Sequence, residues 1–188
     1  MKIYIKNMVC NRCKMTVKSE LEKTGINFKT IDLVEIETNE EVSHEKLRLL
    51  DKNLRQNGLQ LIKNHKEILS EKIKTAIIEV VHYSEKELKH NLSYYLSKKL
   101  NYNYTYLANV FSEVNGTSIE KFFITHKIER VKELIVNNEL NLKEISIITQ
   151  YSSIAHLSNQ FKKSTGLAPS QYRQLLFKKR MPLEQIAC

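Results

Sequence analysis

Apolar positions along the first 65 residues change period several times. Lys2-Ile3-Tyr4-Ile5-Lys6 alternates, as a half-buried strand does. Cys13, Val17 and Leu21 recur every fourth position, the stripe of an amphipathic helix. Asn27–Leu33 and Val34–Thr38 read as two short strands, Ser43–Asn57 as a helix turning Leu47, Leu50 and Leu54 inward, and Leu59–Ile62 as a last strand. The predicted order is βαββαβ, a small split-βαβ sandwich. From Lys66 onward every apolar set, beginning with Ile73, Ile77, Val80 and Val81, has the spacing of a helix, and six further helices follow. The boundary falls near Asn64–Lys66 in polar sequence with no flexible linker, so a continuous helix is expected to join the two parts.

The helix ends are written in single residues. Each of the four glycines, Gly25, Gly58, Gly116 and Gly166, follows a helical segment, where a left-handed residue closes the last turn. Starts are marked by a short polar residue three positions before a Glu, at Ser84–Glu87, Thr117–Glu120 and Asn141–Glu144. Pro169 suits a first helical turn, and Pro182 follows the last helix.

Composition narrows the function. The chain has 188 residues, 41% hydrophobic and 27% charged, enough apolar side chains for a core. No apolar run reaches the length of a membrane helix, and Lys2 and Lys6 break up any signal peptide. A cytoplasmic protein without membrane partners is expected. Four glycines without a cluster argue against a phosphate-binding loop or a dinucleotide fold. No Ser/His/Asp or paired-carboxylate arrangement stands out, so no enzyme is expected. The formal net charge is +9, with +3 in residues 1–65 and +6 in residues 66–188. A basic, helical second part favours a polyanionic partner.

That second part repeats itself. Leu96-Ser97 matches Ile145-Ser146, Leu100-Asn101-Tyr102 matches Thr149-Gln150-Tyr151, and Leu107-Ala108-Asn109-Val110-Phe111 matches Leu157-Ser158-Asn159-Gln160-Phe161. Each copy reads as a short helix, a tight turn and a second helix with Leu and Phe four apart facing inward. That is a helix-turn-helix, twice, at about residues 91–112 and 141–164.

Residues 127–134 (Lys-Ile-Glu-Arg-Val-Lys-Glu-Leu), 152–163 and 165–173 (Thr-Gly-Leu-Ala-Pro-Ser-Gln-Tyr-Arg) carry a specific resemblance. Over about residues 68–178 the chain resembles the AraC/XylS-type transcription regulators. The resemblance implies an all-α domain at 66–188 with two helix-turn-helix units joined by a long helix, here about Thr117–Asn137, and double-stranded DNA as partner. Its first recognition helix maps onto Asn103–Glu113, with Tyr104, Thr105, Tyr106, Ala108 and Asn109 outward. Its second maps onto Ser153–Lys163, with Ile154, Ala155, His156, Ser158 and Asn159 outward, and with Lys162 and Lys163 as phosphate contacts. His156 has packing as its alternative role, as do the rings of Tyr104 and Tyr106. The family's turns usually hold Gly where Asn101 and Gln150 stand, so strain is expected at Gln150.

Met8-Val9-Cys10-Asn11-Arg12-Cys13 falls between the first strand and first helix. In a βαββαβ order, Met-x-Cys-x-x-Cys resembles the heavy-metal-associated, ferredoxin-like domains of copper chaperones. The resemblance, over about residues 1–63 of an N-terminal domain at 1–65, implies that Cys10 and Cys13 hold Cu(I) or another soft ion, for which two thiolates at a helix start are suited. Redox chemistry and a metal-free module for self-association stand as alternatives. Cys188 and the scattered histidines carry no ligand pattern. Two readings of the whole follow: a DNA-binding regulator with an N-terminal sensor, or a metal-trafficking protein whose helices bind a partner.

Overall fold

In a computed structural model, residues 1–83 and 90–178 are described. The cap expected at Ser84, Pro182 and Cys188 lie outside them. The elements run β1 (Lys2–Lys6), α1 (Asn11–Lys23), β2 (Phe28–Ile31), β3 (Glu35–Thr38), α2 (His44–Gln56), β4 (Gln60–Ile62), α3 (His65–Ile78), a π-helical turn (Glu79–Tyr83), α4 (Leu92–Leu100), α5 (Tyr104–Asn115), α6 (Ile119–Asn137), α7 (Leu142–Ile148), α8 (Ile154–Thr165) and α9 (Pro169–Lys178). They gather into two compact units. The first comprises residues 1–79 and 90–119; the second comprises residues 80–83 and 120–178 of the described chain.

The first unit is built on a small antiparallel sheet of order β2-β3-β1-β4. Alternation along β1 sends Ile3 and Ile5 into a core with Val17 and Leu21 of α1 and Leu50 and Leu54 of α2. Met8 of the thiol motif joins that core with no exposed surface. Tyr4 faces the other way, toward α3, which packs on β1 and along α5. Asn64 starts α3 directly after β4, its side chain accepting from the Lys66 amide. Thus the polar sequence at the expected boundary is a helix cap.

Two local expectations shift. The second and third strands are shorter than their β-branched residues suggest, because Val34 lies between them at φ 73°. A β-branched residue in that region is an outlier. It is fixed by full burial of its side chain and by the Ile5 amide, which donates to its carbonyl at 2.9 Å. In addition, α1 begins before Cys13, since Cys10 is the extended residue that precedes its first turn.

The second unit packs α6, α7, α8 and α9 around Ile128, Val131, Ile145, Leu157 and Phe161. A capping box starts α7: Asn141 accepts from the Lys143 and Glu144 amides, and Glu144 returns a bond to the Asn141 amide. The repeat has a structural counterpart. Leu107, Phe111, Leu157 and Phe161 all have 0% exposure. Gly116 and Gly166 end α5 and α8 in the left-handed conformation.

The turn before α8 is strained as the sequence predicts. Gln150 has φ 54°. The Gln150 amide donates to Ile147 O and the Tyr151 amide to Ser146 O, at 2.9 and 2.8 Å. This paired pattern closes α1 and α2 as well, where Gly25 and Gly58 hold the left-handed position. Replacing Gln150 by Gly should therefore raise folding stability by about 1 kcal/mol. Urea unfolding of wild type and Gln150→Gly measures it. A lower midpoint in the variant would show that the left-handed geometry costs Gln nothing here.

Candidate nucleic-acid interface

The second helices of the two repeats, α5 and α8, belong to different units. In the first, Asn103 caps α5 by accepting from the Thr105 amide at 2.8 Å. Burial of Leu107, Val110 and Phe111 turns Thr105, Tyr106 and Asn109 to solvent, with Tyr104 and Ala108 half-buried beside them. Tyr106 is 41% exposed and stacks on Tyr102 at 5.4 Å between ring centres. The Tyr102 hydroxyl in turn lies 3.3 Å from His65 Nε2, at the first residue of α3. Three further hydrogen bonds hold α5 against α3. Lys66 Nζ donates to both Glu113 oxygens at 2.6 and 2.7 Å, and Asn115 donates to Ser70 Oγ at 2.6 Å. The ion pair is exposed, so its energetic share is small, but it shares one register with the buried Ser70 bond.

In the second unit, Ser153 caps α8 and accepts from the His156 amide at 3.0 Å. Ile154, Ala155, His156, Asn159, Lys162 and Lys163 are exposed, and Ser158 is half-buried. His156 is thus not a core residue. Its Nδ1 lies 3.0 Å from Ser152 Oγ and its ring meets the edge of Tyr151 at 5.2 Å, which orients it while leaving it at the surface. Asn109 and Asn159 hold the same place in the two copies, each two residues after a fully buried Leu. Neither α5 nor α8 contains an Arg. Lys162 and Lys163 stand in the last turn of α8, where positive charge also suits the helix dipole.

One participant escapes a reading of charge alone. Lys127 of α6 is only 9% exposed, and its Nζ donates to Gln150 O at 3.0 Å. It sits over the Tyr151 ring at 3.8 Å and near Phe123 at 5.4 Å. Burial pushes its ammonium down to about 8, and burial pushes the Tyr151 phenol up to about 12. The ring face and the carbonyl oppose that desolvation by favouring the charged form. A buried ammonium therefore holds the strained turn that leads into α8. Its signal in the sequence is a Lys in the apolar row Phe123, Lys127, Val131.

The thiols of the first unit come together. Cys10 Sγ and Cys13 Sγ are 3.3 Å apart and both are partly exposed. The Cys10 thiol is lowered from its ordinary value, chiefly by the Cys13 backbone amide at the start of α1. Among the described residues no group of three or more His, Cys, Asp or Glu is arranged to hold a metal ion. The loop before them is tied to α3: the Asn7 amide donates at 3.0 Å to the buried Glu71 carboxylate, which Lys74 pairs at 2.9 Å. No described helix is long and apolar enough to cross a membrane.

Known proteins share this helical arrangement. Residues 96–187 match a helix-turn-helix domain family. An uncharacterized HTH-type transcriptional regulator of Bacillus subtilis, YtdP, is 24% identical over 99 residues, 52% of this chain; the chain spans 12% of that relative's length. The C-terminal domain of AraT, a response regulator from Geobacillus stearothermophilus, is similar with a TM-score of 0.52 and 24% identity, over 66% of this chain and 95% of that one. A transcriptional regulator with an AraC-type DNA-binding domain from Chromobacterium violaceum has a TM-score of 0.49 and 16% identity, over 59% and 97%. Residues 96–187 thus match a helix-turn-helix domain, and the likeness to the AraT domain extends to the fold of the helical part.

Proposed function

We propose that this chain is a sequence-specific transcription regulator that reads double-stranded DNA with α5 and α8. The observation that carries this reading is the outward Asn in each copy, Asn109 and Asn159, set by a buried Leu two residues before it. Asn bonds adenine through N6 and N7, whereas guanine is usually read by Arg or Lys. Thr105, Tyr106 and His156 flank the Asn residues on their helices. Ala108, Ile154 and Ala155 offer apolar contact, which suits thymine methyl groups, and Tyr104 and Ser158 complete the outward set. Lys162 and Lys163 neutralise phosphate. The site is therefore A·T-rich and asymmetric, with two short reading frames about one helical turn apart.

The boundary in this reading lies at residues 65 and 66, between an accessory part and a DNA-binding part. The element order and the β2-β3-β1-β4 sheet support assignment of the accessory part to the ferredoxin-like class, as in heavy-metal-associated domains. Cys10 and Cys13 suit a soft ion such as Cu(I), which accepts low coordination by sulfur. The sulfurs would open from 3.3 Å to share it. Such opening bears on the loop that Glu71 ties to α3, and α3 carries α5.

Selection of bound sequences from a random duplex pool tests the DNA reading. An A·T-rich, asymmetric consensus is expected. Absence of salt-sensitive duplex binding would favour the metal-trafficking reading instead. The metal arm has its own test, an anaerobic Cu(I) titration of reduced protein against a chelator. The wild type should compete for Cu(I) and the Cys10→Ser/Cys13→Ser variant should not; equal competition ends the metal reading.

A further inference from the structure

We propose that a cleft within the first unit, between the outer face of the sheet and α3 and α4, binds a short aliphatic carboxylate bearing a hydroxyl at its other end. The cleft has a volume of about 720 Å³, within the usual range of small-molecule sites. Leu33, Ile68, Leu69, Ala76 and Leu100 give it an aliphatic lining. The aromatic rings at its wall are already engaged. Tyr4 lies beneath Lys72 Nζ at 5.3 Å, and Tyr102 is stacked on Tyr106. An alkyl chain therefore fits the lining better than a second ring.

Two features define the ends of the ligand. Thr75 lines the cleft, is 8% exposed, and its buried hydroxyl has no hydrogen-bond partner. A buried polar group left unpaired is costly; rotation of the Thr75 side chain about χ1 would present its hydroxyl to a ligand hydroxyl in the cleft and restore the bond. The charges define the other end. Lys72 pairs with Glu35 at 2.7 Å, Lys99 pairs with Glu79, and Lys14 approaches Asp32 at 3.7 Å. Lys63, exposed at the rim, makes no ion pair among the described residues. The cleft thus carries one uncompensated positive charge, which calls for a monoanion.

The cleft also borders the turn that leads into α5. Tyr102 lines it and stacks on Tyr106 of α5, and His65 lines it while meeting the Tyr102 hydroxyl. Occupancy is therefore coupled to α5; this coupling rests on the DNA reading proposed above, whereas the binding site itself does not.

Titration of the full chain with ω-hydroxyhexanoate, hexanoate and hexylamine, followed by amide NMR without DNA, tests the site. Both acids should bind saturably, with shifts centred on Lys63, Thr75 and Tyr102, and the amine should not bind. The hydroxy acid should bind about five-fold more tightly than hexanoate. Thr75→Val should abolish that preference while leaving hexanoate binding intact. Lys63→Glu, at an exposed position, should weaken both acids. No saturable binding of either acid, an equal response to the amine, or a hydroxyl preference that survives Thr75→Val would overturn the site. The coupling is read separately. Saturating ω-hydroxyhexanoate should change affinity for the selected duplex several-fold, and an unchanged affinity would overturn the coupling alone.

Discussion

Burial of one Leu and one Phe four residues apart, on each of two helices, is the constraint on which the proposed DNA-binding surface depends. Leu107 with Phe111 and Leu157 with Phe161 have no exposed surface. Each buried aromatic or aliphatic side chain of this size contributes about 1.5–3 kcal/mol relative to exposure. Rotation of α5 or α8 about its axis would forfeit most of that. The positions between them are consequently fixed as outward, and Asn109 and Asn159 inherit their exposure from the core rather than from polarity alone.

A second constraint concerns how the chain enters α8. The turn after α7 needs a left-handed residue, and the sequence places Gln150 there. The cost is offset by the paired amide bonds of the turn and by the buried Lys127 ammonium on its carbonyl. In the first repeat the equivalent Asn101 takes φ 59°, a conformation Asn tolerates, and among the described residues no buried lysine donates to its carbonyl. The two copies of one motif thus solve the same backbone problem with different chemistry. In the first unit α3 has the comparable organising part, since it is tied to the thiol loop through Glu71 and to α5 through Lys66 and Ser70.

Much of this was legible in the sequence, and the part that was not shares a physical cause. Element order, the four glycine stops, the capping box at Asn141 and the inward Leu and Phe pairs are local features, set by residues a few positions apart. The left-handed Val34 was not legible, because its β-branched side chain argues for strand and only burial against the rest of the sheet outweighs that preference. Lys127 reads as a solvated charge until its neighbours at residues 150 and 151 are known. Nor does the spacing reveal that Glu71 answers the amide of Asn7, 64 residues earlier, or that Tyr4, Thr75 and Tyr102 border one cleft. Packing of α3, α4 and α5 with the sheet likewise arises from long-range contacts and crosses the compositional boundary at Lys66.

The central claim is that the two outward asparagines read bases. Paired affinity measurements of Asn109→Ala and Asn159→Ala on the selected duplex and on random duplex test it most directly. The account predicts a loss of about 1–3 kcal/mol on the selected site for each variant, relaxed preference at one base pair, and little change on random DNA. Equal weakening on both duplexes would contradict it, because it would make these side chains phosphate contacts.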